Sequence, residues 1–249
     1  CLFMEKVGCP SRSRRFFCFG WFGHHSYCRI IGDCGGSDFA SSDQLTQSDP
    51  RAARVRAVLA GHRGDEAEAR SLLTDVDVGT RCAALGALDR IGSLTTSDLQ
   101  SALEDMDGSV RRRALEIAAK RSDVEIAACL HDSVPAVAET AAFALGERTE
   151  TTAVSSLIAM ANDHEDALCR ESAVAALGAL ATADEVDRAE ILTCLLGVMS
   201  DRPQIRRRAV LGLFQFDELE AEEALQGALA DKDRQVRAIA GDLLGVMTD

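Results

Sequence analysis

Beyond residue 48 the side chains best suited to proton transfer are three histidines, His62, His131 and His164. His62 sits in AGHRGD, where a helix is expected to end, and His131 and His164 fall beside acids in expected inter-helix loops. A catalyst needs converging polar groups with tuned pKa values, and a loop histidine next to an acid reads as a solvated surface residue. Cys82, Cys129, Cys169 and Cys194 each stand alone inside apolar helical patterns and read as small buried hydrophobes in a reducing compartment. Cys9, Cys18, Cys28 and Cys34, with His24 and His25, are the right residue types for zinc, but their spacing fits no common zinc pattern. There is no P-loop, no G-x-S-x-G and no dinucleotide fingerprint. The expectation is a chain with no catalytic residue, no metal and no cofactor.

The elements that would position any site come from composition and period. Apolar content is 47% but aromatics are only 4%, so small residues, alanine above all, must do the packing. The formal net charge of −13 opposes nucleic acid and anionic membrane surfaces, both of which reward clustered Lys and Arg. No stretch approaches the roughly 20 apolar residues of a membrane span. A cytoplasmic protein is expected.

The first 47 residues have a different composition. The leading 45 hold Trp21, Tyr27, six of the nine Phe and five of the nine Cys. SRRFF (13–17) is similar to a twin-arginine export signal, but the apolar run after it is short and no A-x-A site follows. This segment reads as a disordered or atypical extension, or one foreign to the native protein, with the structured part running from 48 to 249.

From about residue 48 the text is periodic. DMDGSVRRRALEIA (105–118) and DKDRQVRAIAGDLL (231–244) share one sentence: acid, spacer, Asp, two spacers, Val-Arg, then an apolar run. Anchored on that arginine, the units fall at Arg81, Arg111, Ala138, Arg170, Arg206 and Arg237, with an earlier anchor at Arg54 or Arg56. The steps of 30, 27, 32, 36 and 31 residues suit a two-helix repeat. Asp77, Asp107 and Asp233 stand where an N-cap is needed. Apolar residues then recur at helical spacing, as in Val110, Ala114, Leu115 and Ala118. First helices are expected over EAEARSLL, TSDLQSAL, VEIAACL, AVSSLIAM, RAEILTCLL and LEAEEALQGAL. No period-two alternation of β-branched residues argues for strands.

The pattern D-x-D-x-x-V-R-x-x-A-x-x-A-L, carried best by 75–88, 105–118 and 231–244, resembles the HEAT repeat, in the short-unit subgroup named after phycobiliprotein lyases. The resemblance implies an all-α fold, a right-handed α-solenoid of six to seven helix pairs, with motif Asp and Arg residues forming a ladder between units. Carried onto matching positions, that ladder involves Asp77, Arg81, Asp107, Arg111, Arg206, Asp233 and Arg237. Ala138 lacks the arginine, and the loop before Arg170 has an extra residue, so those rungs are in question. The subgroup's name also implies a bilin lyase-type activity as an alternative, though only Phe143, Phe214 and Phe216 offer aromatic walls in the repeats.

The residues following each anchor should point away from the core. Among them, Arg112, Arg113, Glu139, Glu171, Arg207 and Arg208 form a mixed-sign row with two basic patches. The expected function is a non-catalytic protein-binding scaffold or adaptor that uses the concave surface, its partner carrying an acidic segment that the arginines would fork. The alternative is a regulatory module of an enzyme complex. The apolar end of the chain, Leu243, Leu244, Val246 and Met247, adds self-association through the last helix.

Overall fold

The structure is a computed structural model that describes residues 49–183 and 186–246. The readings placed on residues 1–48, an export signal, a zinc set and an extension, lie outside the described residues.

Twelve α-helices follow one another: α1 (Pro50–Arg63), α2 (Glu66–Ser71), α3 (Val78–Ile91), α4 (Thr96–Leu103), α5 (Gly108–Ala118), α6 (Pro135–Glu147), α7 (Val154–Asp163), α8 (Ala167–Leu180), α9 (Arg188–Gly197), α10 (Pro203–Leu213), α11 (Leu219–Ala228) and α12 (Arg234–Leu244). No strand occurs among the described residues. The second helices of the units are α3, α5, α6, α8, α10 and α12. Each is preceded by a shorter first helix, except α6. There VEIAACL, expected to be helical, gives only a 3₁₀ turn, Ala127–His131. The step of 27 residues is the shortest, and Pro135 fixes where α6 begins, so Val124 and Ile126 are buried from an irregular stretch instead. α1 is a second helix without a first.

Local sequence explains each second helix's start. Asp49, Asp77, Asp107, Asp166 and Asp233 accept hydrogen bonds from backbone N–H groups of the first turn of α1, α3, α5, α8 and α12. α6 and α10 use proline at the first turn, where a missing N–H costs nothing. The anchor is always the fourth residue after the cap. In α1 that residue is buried Ala53, so neither Arg54 nor Arg56 is the first anchor. Arg54 lies one position further and its Nη2 reaches Asp77, the cap of α3, at 3.1 Å.

Leu85 and Leu88, Leu115, Leu145, Leu177 and Leu213 are all buried between the helices of adjoining units. Each contributes about 2 kcal/mol. Successive second helices pack more extensively on one another than the first helices do, so the stack bends with the second helices on its inner side. Small residues permit the approach: a Cβ added at Gly61, Gly146 or Gly178 would meet the backbone of Ala87, Ala176 or Gly212 at 2.9–3.1 Å.

Candidate functional site: an arginine ladder and an inner face

The anchor arginines bind in one way throughout. Arg111 donates from Nε and Nη2 to both carboxylate oxygens of Asp132 at 2.7 Å, and from Nη1 to the Asp105 carbonyl at 2.8 Å. Arg81 forks Asp105 at 2.8 and 2.7 Å, Arg170 forks Asp201 at 2.8 and 3.0 Å, and Arg206 forks Asp231 at 2.8 and 2.6 Å. Each arginine is thus tied to its own loop and to the acid of the next unit. Bidentate geometry and little exposure make these pairs worth more than surface ion pairs.

The ladder therefore exists, but two expectations need correcting. The acid of the rung is the first of the D-x-D pair or its equivalent, so Asp77, Asp107 and Asp233 are caps and not rungs. The cap must turn its carboxylate down onto the helix N–H groups. The residue before the turn is left facing the arginine of the preceding unit, and it also accepts the backbone N–H of the cap position, as Asp105 does from Asp107 at 2.9 Å. The rung at Arg170 is also formed; the lengthened loop is absorbed without losing it.

Where the rung is missing, both partners have changed. Ala138 replaces the arginine, and the facing acid position of the next unit holds His164, whose Nδ1 accepts the Asp166 N–H at 3.0 Å. Arg237 keeps the inner half of the pattern, donating to the Asp231 carbonyl at 2.7 Å, but no carboxylate faces its fork among the described residues.

The carboxyls follow the geometry. In Asp132, Asp201 and Asp231 the arginine hydrogen bonds hold the pKa below the ordinary carboxylate range, against desolvation. In Asp105 burial is the largest influence and pulls upward, yet Arg81 and the Asp107 N–H outweigh it.

A second arginine series, absent from the repeat pattern, clips the loops on the other edge. Arg70 donates to the Ser93 carbonyl at 2.8 Å, Arg121 to Leu94 at 2.8 Å, Arg148 to Val124 at 2.8 Å and Arg188 to Gln215 at 2.9 Å. Their positions within the units vary, so no fixed spacing marks them in the sequence. Arg188 also lies 4.6 Å from the centre of the Phe216 ring.

The candidate binding residues occupy the inner side, though several are engaged within the chain. Arg113 pairs with Glu116 at 2.9 Å and lies against Gly86 of α3. Arg112 approaches Glu116 at 3.5 Å and is half-exposed. Arg208 pairs with Glu171 at 3.1 Å, bridging α10 and α8, and Arg207 donates to Gln235. Arg207, Arg208, Leu211 and Ile239 line a shallow depression of about 140 Å³. Burial, with Asp166 and Glu171 nearby, raises the carboxyl of Glu139 above its usual range, with Arg112 opposing.

The groups with catalytic potential do not converge. His62 accepts from Arg90 at 2.9 Å at one edge, His131 is exposed, and His164 is a loop acceptor. The four described thiols are free, and burial pushes Cys169 and Cys194 up to about 11. Among the described residues no cluster of three or more His, Cys, Asp or Glu has metal-binding geometry. Nor is any helix there long and apolar enough to cross a membrane.

Residues 96–178 and 124–196 match the family model of HEAT repeats. No curated protein matches the chain. Among solved structures, an engineered protein is similar at 19% identity and a TM-score of 0.57, over 73% of this chain and 97% of that one. A designed armadillo repeat protein is similar at 17% identity and a TM-score of 0.54, over 74% and 98%. Another, in complex with the peptide (KR)4, is similar at 17% identity and 0.51, over 80% and 99%. The chain is therefore a HEAT-repeat protein, its repeats recognised from 96 to 196 and its fold that of the repeat solenoids.

Proposed function

We propose that the chain is a non-catalytic protein-binding scaffold that holds an extended partner segment along the inner side of the second helices, in the cytoplasm. The observation that carries this reading is the row formed by the residue after each anchor. Arg112, Glu139, Glu171 and Arg207 stand on four successive second helices. Packed helices lie about 10 Å apart, and an extended peptide advances about 3.3 Å per residue, so each helix meets roughly every third partner residue. The partner then carries an acid over Arg112 and Arg113, a base over Glu139 and Glu171, and an acid over Arg207 and Arg208. Glu139 is the position that gains most from a base, since no cation pairs with it at bonding distance among the described residues and its burial already disfavours the bare charge. One of the similar solenoids, the designed armadillo repeat protein, holds a basic peptide.

Selection from a displayed peptide library against the chain tests the reading. Peptides with charges of alternating sign at about three-residue spacing are expected, and their binding is lost when Arg112, Arg113, Arg207 and Arg208 are together changed to Glu. Because Arg113 and Arg208 are paired internally, the melting temperature of that variant must be followed alongside. A variant that stays folded and keeps every selected peptide contradicts the placement.

A further inference from the structure

The two ends of the described stack differ, and each end lacks what the other presents. Counted from the N-cap, the tenth residue of a second helix faces the preceding unit. It is Ala87, Ile117, Ala144 or Ala176 in α3, α5, α6 and α8, and is at most 5% exposed in each. In α1 the tenth residue is Leu59, 39% exposed, beside Val55 and Val58, 53% and 48% exposed. These three, with Arg51 and Arg54, line an open depression of about 370 Å³. The face of α1 that a preceding second helix would cover is bare, and it is made of large apolar side chains.

At the other end the geometry is reversed. The twelfth position from the cap receives the following unit: Gly61, Gly146 and Gly178 there touch backbone at 2.9–3.1 Å. In α12 that position is Gly245, and a Cβ built on it meets nothing within 4 Å. Ala238 and Gly241 lie on the same side of α12, so this end is a shallow groove of small residues. The charges are also opposed. α1 carries four arginines and no acid, whereas α11 carries three glutamates and no base.

We propose that a second copy of this chain fills each end, α1 of one copy stacking on α12 of the next as though it were a further repeat. In that register Leu59 enters the space beside Gly245, Val55 lies over Ala238, and Arg51 is brought toward exposed Asp242. Large residues on one end and small ones on the other exclude the two-fold alternative in which α1 packs on α1, which would also bring eight arginines together. The contact is heterologous, so it propagates into open linear assemblies and does not close at a dimer. It goes beyond the scaffold reading and does not depend on what the inner face holds.

Sedimentation velocity on the full chain, with two exposed-site variants, tests it. Leu59→Asp disables the α1 end and Ala238→Trp disables the α12 end, each leaving the opposite end intact. The unaltered chain is expected to gain mass steadily from micromolar to millimolar concentration, without a plateau, and to lose that gain as salt rises from about 0.05 M to about 0.5 M. Each variant alone stays monomeric, and their equimolar mixture gives a dimer and nothing larger. An unaltered chain that stays monomeric, a plateau at the dimer, or a mixture that stays monomeric would overturn the proposal. The first of these outcomes includes the case in which another part of the chain covers α1.

Discussion

At the scale of the residue, the chain's specificity lies in which of two adjacent aspartates does which job. Their types and spacing are plain in the sequence, and so is the arginine that follows. The division of labour is not, because it depends on the turn between them, which aims one carboxylate down the helix and the other back at the preceding unit. The sequence reading therefore found the ladder but named the caps as rungs. It also left Arg170 in question, since loop length is visible in a sequence and loop path is not. Two predictions follow from the geometry. Asp132 has a depressed pKa when folded, so its pairing stabilises the chain fully above the ordinary carboxylate value, near about 3.9, and is lost as pH falls through the depressed one. Asp132→Asn should cost stability at pH 7, and its denaturation midpoint should converge on that of the parent in acid; parallel curves across the whole range would argue against the pairing. The missing rung offers a second measurement. Ala138→Arg alone should destabilise, since His164 gives it no carboxylate, and His164→Asp in the same chain should recover about 1–2 kcal/mol more than the single changes predict. Strict additivity in that cycle would show that the two positions do not face each other as a rung.

At the scale of the element, alternation of apolar residues at helical spacing was enough to place eleven of the helices from α2 onward, because each must bury one stripe against the next unit. It failed at VEIAACL. The apolar residues there are buried as expected, but Pro135 and the short step leave no room for a helix, and periodicity alone is blind to that constraint. Helix-on-helix distance was legible only as a richness in Ala and Gly; which glycine touches which backbone required the packed structure. The same substitution should then have opposite effects at two helical glycines. Gly146→Ala forces a Cβ within 3 Å of Ala176 and should cost about 1–3 kcal/mol. Gly227→Ala, in α11 with open space around it, should gain about 0.5–1 kcal/mol through helix propensity. Thermal melts of the two variants that moved in the same direction would contradict the close approach of α6 and α8.

At the scale of the whole molecule, one unit cannot bury its own apolar stripe, and the fold is a solution to that deficit repeated along the chain. Chemistry at the inner face was legible as a row of charges, but its internal pairing was not: Arg113 and Arg208 spend their charge on Glu116 and Glu171, so a partner meets a partly neutralised surface whose sign alternates along the stack. The central claim is that the units are joined by carboxylates delivered from each to the arginine before it. Equilibrium unfolding of Arg111→Ala beside Arg237→Ala tests this most directly, because both arginines hold their own loop carbonyls and only Arg111 has a carboxylate in its fork. The account predicts a loss of about 3 kcal/mol for Arg111→Ala, which strands Asp132, and about 1 kcal/mol for Arg237→Ala. Equal losses at the two positions would contradict it.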